Sequence, residues 1–145
     1  MKGQDVLFSH KSDNYITPKW LIDELKQEFD IKLDVCTTKD NPLDIPQFFW
    51  YPEWDGLNAC SEWQTWSYCN PPYSDVACWV HMAWSEYMYR GIKSILLLPA
   101  RTDTKWFHEY IYKKPYTEIR FLKGRLKFEG MQNSAPFPSM LVIFG

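Results

Sequence analysis

The sequence lacks the features that mark membrane, secreted and zinc-binding proteins. No window approaches the roughly 18 consecutive apolar residues of a membrane span, and the N-terminal stretch MKGQDVLFSHKSD is too polar for a signal peptide. The four cysteines form no CxxC pair, and the three histidines form no HExxH motif. We therefore expect a soluble, cytoplasmic protein with no membrane partner and no bound metal.

Internal repeats, low-complexity tracts and linkers are also absent, so the sequence predicts one domain, 1–145. Aromatic residues, by contrast, are abundant: the chain holds 8 Trp, 9 Tyr and 9 Phe. This content excludes a disordered tail. It also exceeds what a small core is expected to absorb, so some aromatic side chains should lie at the surface.

The net charge of -2 hides an uneven distribution along the chain. Residues 1–100 carry a local charge of -6, whereas residues 101–127 carry +5 and hold half of the 16 Lys and Arg side chains. Such a basic run is either a solvated helix face or a surface that follows phosphates. Charge alone does not decide between these two interpretations.

The apolar pattern predicts an α/β fold, a sheet with helices on its faces. Two short strands, 118–121 and 125–128, are expected to flank Gly124 as a hairpin or as paired edge strands. The segment 37–56 contains three prolines and is expected to be mostly loop. The remaining strands are predicted at 31–36, 65–69, 94–98 and 139–144.

Three helices are predicted from their boundary signals. The first begins at Thr17-Pro18, with Thr17 as N-cap and Pro18 in the first turn, and extends to about residue 29. The second runs from Ser74 or Asp75 to about residue 89, where Gly91 is placed as a C-cap glycine. The third covers residues 103–113 and ends before a proline.

The most informative feature is the tetrapeptide Asn70-Pro71-Pro72-Tyr73, which follows a predicted strand. Two consecutive prolines end sheet pairing, and ligands in open α/β sheets bind beyond the carboxyl ends of strands. The Asn70 side chain and the Pro71 carbonyl can accept both hydrogens of a planar exocyclic amine, while Tyr73 can stack on its ring. Two such acceptors stabilise the positive charge that develops on the nitrogen during transfer, so no strong base is needed. The alternative interpretation is a tight turn after a strand.

NPPY resembles the catalytic motif of S-adenosylmethionine-dependent amino methyltransferases, and the whole chain resembles the phage-type DNA N6-adenine methyltransferases (Dam-like). The resemblance implies a Rossmann-like S-adenosylmethionine-dependent methyltransferase sheet, mostly parallel with antiparallel C-terminal strands. The matching segments follow one another along nearly the whole chain: YITPKW at 15–20, LDVC at 33–36, DGL at 55–57, NPPY at 70–73, LLPART at 97–102, GRLKF at 124–128 and SMLVIF at 139–144.

The resemblance also assigns roles by position. The catalytic residues would be Asn70, Pro71, Pro72 and Tyr73, which hold a flipped adenine. Asp34 would face the methionine part of the cofactor, and Asp55 would lie near its adenine. The glycine-rich turn that usually follows the first strand is replaced here by Cys36-Thr37-Thr38. The full set implied to contact S-adenosylmethionine is Tyr15, Thr17, Pro18, Asp34, Cys36 and Asp55.

DNA is the expected partner, because the basic segment can offset the cost of extruding a base from the duplex. A catalytic sheet of seven strands with its helices would use most of the chain, so we expect no separate target-recognition domain. Sequence specificity should then be loose or short, or a second subunit, as in a homodimer, should supply recognition residues. The expected DNA contacts are Arg101, Lys105, Lys123, Arg125 and Lys127.

The leading hypothesis is therefore methylation of adenine N6 in DNA, within the host cytoplasm if the protein is phage-encoded. One alternative is another planar nitrogen as acceptor: cytosine N4, an RNA adenine or a glutamine amide, because NPPY does not name the base. Another is a non-catalytic DNA-binding relative with a degenerate cofactor site. The missing glycine turn supports this last hypothesis, whereas the intact Asn70 to Tyr73 motif opposes it.

Overall fold

A computed structural model of the chain describes residues 15–58 and 62–145. Within these ranges six strands form one sheet in the order β2-β1-β3-β4-β6-β5. No helix there is both long and apolar enough to cross a membrane. The strands are β1 (Leu33–Thr37), β2 (Gln47–Trp50), β3 (Ser67–Cys69), β4 (Ser94–Pro99), β5 (Thr117–Phe121) and β6 (Ser139–Phe144), and the helices are α1 (Lys19–Glu28), α2 (Val76–Arg90) and α3 (Lys105–Tyr110).

Strands β1 to β5 all run in one direction, and β6 lies antiparallel between β4 and β5. This arrangement confirms the expected α/β class, with a mostly parallel sheet and antiparallel pairing at its C-terminal strands. The carboxyl ends of β1, β3, β4 and β5 therefore meet at one border of the sheet, which we call the carboxyl edge. The segments that follow these four strands all begin at this edge.

The core has two layers because the sheet is covered on both faces. Strand β4 is buried along its whole length, and its alternate side chains face opposite layers. Leu96 and Leu98 pack with α2 and α3, whereas Ile95 and Leu97 pack with α1 and with the segment that follows β5. Burial on both faces explains the continuous apolar run 95–98, which is typical of a parallel strand buried on both sides.

The helix predictions are confirmed in kind and corrected at their ends. Pro18, not Thr17, occupies the N-cap of α1, and no side chain caps this helix. The Thr17 hydroxyl instead forms a hydrogen bond of 2.6 Å with the buried Tyr68 hydroxyl. Gly91 ends α2 in the left-handed conformation with φ of 69°, as predicted. Helix α3 is shorter than expected and covers only Lys105–Tyr110.

Two expectations about the sheet differ from the structure. Residues 125–128 form no strand, and β5 pairs with β6 instead. The physical reason is that Leu126 and Phe128 are both buried under the sheet, while the Leu126 carbonyl accepts a hydrogen bond from Ala135. The segment 37–56 is mostly loop and turn, as expected, and it also contains the short edge strand β2. The described residues thus form six strands rather than seven.

Candidate active site

A cleft at the carboxyl edge lies between the ends of β1 and β3. Strand β1 pairs with β2 on one side and with β3 on the other, so the strand order reverses between β1 and β3. Open α/β sheets bind ligands at such a reversal. The cleft holds about 410 Å³, including the open space at its mouth. Six predicted site residues line it: Tyr15, Thr17, Asp34, Cys36, Asn70 and Pro72.

Asn70 follows β3 directly, and its amide is held by the segment before α1. Its Nδ2 donates a hydrogen bond to the Tyr15 carbonyl and a second, of 3.3 Å, to the Thr17 hydroxyl. The other atom of this amide, Oδ1, is buried and has no partner among the described residues. Pro71 and Pro72, both buried, fix the backbone that carries the amide. Asn70 therefore presents one oriented, unused acceptor.

Tyr73 begins a short 3₁₀ turn that leads into α2, and aromatic rings surround it. Its ring centroid lies 5.0 Å from that of Tyr15, 4.8 Å from that of Phe137 and 6.3 Å from that of Phe128. The Tyr73 hydroxyl is buried without a partner in the described residues. Burial raises the pKa of Tyr73, and the positive charge of Arg101 partly opposes this rise. Arg101 thus acts electrostatically on Tyr73.

Asp34 is a buried carboxylate at the base of the cleft, with a relative exposure of 1%. Its Oδ1 accepts a hydrogen bond of 3.3 Å from the Cys36 backbone, whereas Oδ2 has no hydrogen-bond partner in the described ranges. Burial raises the pKa of Asp34 to about 7, even though the Cys36 N–H and the Thr37 side chain both favour the ionised form. Asp34 can therefore receive a cationic or hydrogen-bond-donating ligand.

Cys36 lines the same cleft but is a poor nucleophile. Burial and the nearby negative charges of Asp34 and Asp55 raise the pKa of its thiol well above the ordinary value. No group of three or more His, Cys, Asp or Glu side chains in the described residues is arranged to hold a metal ion.

Asp55 and Pro18 lie outside the lining of the cleft, although the resemblance placed both in the cofactor site. Asp55 is buried, and its Oδ1 accepts hydrogen bonds from the backbone of Leu57 at 2.9 Å and of Asn58 at 3.1 Å. The next residue, Gly56, donates its N–H to the Val35 carbonyl at 2.7 Å. Asp55 thus sits in a turn that is fixed against β1, beside the cleft rather than in it.

The predicted DNA-contacting residues all lie at or near the carboxyl edge. Arg101 follows β4, Lys105 begins α3, and the other three belong to the segment that follows β5. All five are exposed. Lys105 is within 3.6 Å of the Glu109 carboxylate, whereas the other four form no ion pair within the described residues. The five are Arg101, Lys105, Lys123, Arg125 and Lys127.

Arg120 differs from these basic residues, although it belongs to the same run of sequence. Its guanidinium donates to both Glu28 carboxylate oxygens, at 2.7 and 2.5 Å, and also contacts Glu118. Arg120 therefore joins β5 to α1, and its charge is used within the protein. The basic run of the sequence contains both kinds of residue.

Sequence reasoning missed residues that support the site. Tyr68 lies two residues before Asn70 and reaches Thr17 from the same side of β3, so period-two alternation could have identified it. Phe128 and Phe137 pack against Tyr73 from a segment with no strand or helix, and no local pattern marks such contacts. Thr37 and Thr38, which replace the expected glycine turn, line the cleft.

Comparison with known proteins gives two matches over most of the chain. A family model described as DNA N-6-adenine-methyltransferase (Dam) matches residues 5–144. A protein of Haemophilus phage HP1 (strain HP1c1) named DNA N-6-adenine-methyltransferase is 33% identical over 143 residues, which cover 91% of this chain and 78% of the phage protein. No solved structure matches the chain significantly.

Proposed function

The chain belongs to the DNA N-6-adenine-methyltransferase family, and we propose that it transfers a methyl group from S-adenosylmethionine to the N6 amine of adenine in DNA. The observation that carries this proposal is the buried, unpartnered Oδ1 of Asn70 in a cleft at the strand-order reversal. An oriented acceptor at this position suits an amine that must be held at the end of a parallel strand.

The sheet supports a Rossmann-like methyltransferase fold. Five strands share one direction, and the order reverses between β1 and β3, as in doubly wound sheets. The antiparallel β6 is inserted beside β4 and matches the antiparallel C-terminal pairing that the resemblance implies. We propose a single catalytic domain, in which the loops at the carboxyl edge bind the cofactor, the acceptor base and the DNA.

The cleft residues fit S-adenosylmethionine, because the Asp34 carboxylate leaves Oδ2 without a partner in the described residues. The bound cofactor would supply an electrophilic methyl group. Ionised Asp34 would accept a hydrogen bond from the ammonium of its methionine part, and Tyr15 and Thr17 would hold the carboxylate end. The Thr37 and Thr38 side chains, which line the cleft, would provide the polar contacts that a glycine-rich turn supplies through its backbone.

Asn70, Pro71 and Tyr73 would hold the acceptor base. The Asn70 Oδ1 and the Pro71 carbonyl would accept the two amine hydrogens, which favours a pyramidal nitrogen and stabilises its developing positive charge. Tyr73 would stack on the base after extrusion from the duplex, a step that costs a few kcal/mol. Pro72 restricts the loop so that these groups keep their positions.

The exposed basic residues at the carboxyl edge would bind the DNA backbone. Arg101 lies nearest to the site in chain order and acts electrostatically on Tyr73. Lys123, Arg125 and Lys127 would contact phosphates on the far side of the same edge, and Lys105 would add to this surface. A protein acting on DNA in this way would work in the cytoplasm of its host cell.

A labelled-transfer experiment tests the proposal. Purified protein is incubated with unmethylated DNA and methyl-labelled S-adenosylmethionine, and the DNA is digested to nucleosides that are separated by mass. We expect label in N6-methyladenine, with Asn70→Ala as the inactive control. Label in N4-methylcytosine would keep the mechanism and correct the base. Cofactor binding without labelled DNA would contradict DNA as substrate, and failure to bind the cofactor would contradict the enzyme assignment.

A further inference from the structure

The segment 122–138 connects β5 to β6 and is the longest stretch after residue 62 without a helix or strand. Loops of this length inside a compact domain usually carry function. The segment starts at the carboxyl edge, because β5 runs parallel to β4, and it returns there to begin β6. Both ends of the segment therefore lie at the carboxyl edge, the edge that also holds the cleft.

Buried anchors fix the shape of this segment. Leu126, Phe128 and Ala135 are each at most 5% exposed. The Ala135 N–H donates to the Leu126 carbonyl at 2.7 Å, and the Glu129 N–H donates to the Ile16 carbonyl at 3.0 Å. The segment is thus tied both to itself and to the strand-like stretch before α1, which also holds Asn70.

Two exposed tips project between these anchors. The first, 123–125, contains Lys123 and Arg125 around Gly124, whose φ of 70° requires a residue that tolerates the left-handed conformation. The second, 132–134, consists of Gln132, Asn133 and Ser134, all exposed. The side chains of the second tip form no hydrogen bond with other described residues, so their donors and acceptors remain available.

The second tip borders a second cleft, of about 490 Å³ and open to solvent. Tyr15 and Phe128, which both pack against Tyr73, also line this second cleft. Tyr15 lines both clefts. Groups at the second tip therefore share a cleft with two of the rings that pack against Tyr73, the residue proposed to stack on the acceptor base.

The two tips carry different side chains, which suit two different kinds of contact with DNA. Lys and Arg bind phosphates without regard to sequence, whereas Asn and Gln pair their amide with the N6 and N7 atoms of adenine in the major groove. Resting on the proposed function, we propose that Gln132 and Asn133 read the base edges beside the methylated adenine. The chain would then carry its own recognition element, within the segment 122–138.

The test compares the parent protein with the double variant Gln132→Ala/Asn133→Ala. Each is given S-adenosylmethionine and a library of duplexes in which the bases around one adenine are randomised, and N6-methyladenine is mapped by sequencing. We expect the double variant to keep methylating, with its preference at one or more flanking positions lowered by about fivefold to a hundredfold. Gln27→Ala, an exposed amide near the end of α1, should keep the parent profile.

The same library is also selected by binding alone, so that recognition is measured without methyl transfer. A parent that binds with a flanking-base preference but forms no N6-methyladenine would contradict the proposed function. The recognition element would then be tested by comparing the binding preferences of the parent and the double variant. An identical profile in parent and double variant, with an unchanged Tm, would overturn the inference. A parent without any flanking preference would overturn it too. Asn133→Asp, which keeps the side-chain size, should also shift the profile.

Discussion

The side-chain amide of Asn70 donates a hydrogen bond to the backbone carbonyl of Tyr15, 55 residues earlier in the chain. Only the nitrogen of the amide can donate, so this contact fixes which way the group points. The oxygen is turned to the opposite side, where it is buried without a partner among the described residues. The segment before α1 therefore orients the acceptor that we propose for the amine.

Two replacements of Asn70 distinguish its role as a hydrogen-bond acceptor from the hydrogen bond to Tyr15 that orients its side chain. Asn70→Ala removes the acceptor, and we expect methyl transfer to fall by about 100-fold to 1,000-fold, the usual loss for one preorganised hydrogen-bonding group. Asn70→Asp keeps an acceptor but loses the N–H that donates to the Tyr15 carbonyl, so its rate should lie between those of the parent and Asn70→Ala. Cofactor affinity, measured by calorimetry, should change little in either variant. Near parental turnover of Asn70→Ala would refute the catalytic role.

Tyr73 tests stacking against hydrogen bonding. Its hydroxyl is buried and unpartnered within the described ranges. Tyr73→Phe should therefore leave the stability unchanged and keep kcat/KM within about threefold of the parental value. Tyr73→Ala removes the stacking face, which contributes about 1–3 kcal/mol per base, and kcat/KM should fall by about fivefold to a hundredfold. Transfer rates over a range of DNA concentrations would measure both. Equal losses in the two variants would show that the hydroxyl, not the ring, is required.

Asp34 should make the stability of the cofactor-free protein depend on pH. Its pKa is about 7 in the folded state because of burial, against an ordinary value of 3.8. Well below pH 3.8 the carboxyl is protonated in both states, so it has no effect. Between pH 4 and 7 the unfolded state ionises first, and stability falls as pH rises, by about 4 kcal/mol in all.

The measurement is the free energy of unfolding of the parent and of Asp34→Asn at several pH values. The asparagine cannot ionise, so its stability relative to the parent should increase from pH 4 to pH 8. Asp103→Asn, at an exposed carboxylate, should leave the parent profile unchanged. If the free energies of unfolding of Asp34→Asn and the parent differ by the same amount at every pH in this range, the Asp34 carboxyl is not desolvated in the folded protein. The same variant should also bind S-adenosylmethionine more weakly.

Arg101 should contribute to DNA affinity through phosphate contact. Its replacement by alanine should weaken binding to every sequence alike, and should lower the dependence of log K on log salt by about 0.9, the value for one phosphate. Arg90→Ala is the matched control, because Arg90 lies at the far end of α2 and pairs with Glu86 at 2.9 Å. Titrations at several salt concentrations measure both slopes. A sequence-dependent loss in Arg101→Ala would instead indicate base contact.

The sequence was sufficient to predict the main strands, and six of the residues that the resemblance assigned to the site line the cleft. Asn70 is marked by its own neighbours, since two prolines after an apolar strand leave few conformations. Residues 95–98 are apolar at every position, which is typical of a strand buried on both faces. Local chemistry decides such elements, so reasoning from adjacent residues succeeds there.

Residues 125–128 show where such reasoning fails. Their alternation of polar and apolar side chains is the pattern of a strand, yet Leu126 and Phe128 are buried against α1 and the aromatic cluster instead. Strand β5 pairs with β6 and forms the edge of the sheet, and the Leu126 carbonyl accepts a hydrogen bond from Ala135 rather than from β5. Contacts between distant segments, such as Asn70 with Tyr15, are likewise invisible to any local pattern.

Gly56 lies where the turn that carries Asp55 meets β1, and a side chain there would collide with the strand. A Cβ on Gly56 would stand 2.7 Å from the Val35 Cβ and 2.9 Å from the Val35 carbonyl oxygen, neither of which is the end of a flexible side chain. Gly56→Ala should therefore destabilise the protein by about 1–3 kcal/mol. Relief of the clash must displace the turn or β1, and β1 carries Asp34 and Cys36.

Cofactor affinity separates this local effect from a general loss of stability. Gly91→Ala is the control: its Cβ meets nothing within 4 Å, but φ of 69° costs an L-residue about 1 kcal/mol. It lies after α2, at the border of the sheet opposite the cleft. We expect both variants to lower the Tm, and Gly56→Ala alone to weaken binding of S-adenosylmethionine in calorimetry. Equal affinity in the two variants would place the Asp55 turn outside the cofactor site, because displacement of that turn would then leave the ligand untouched.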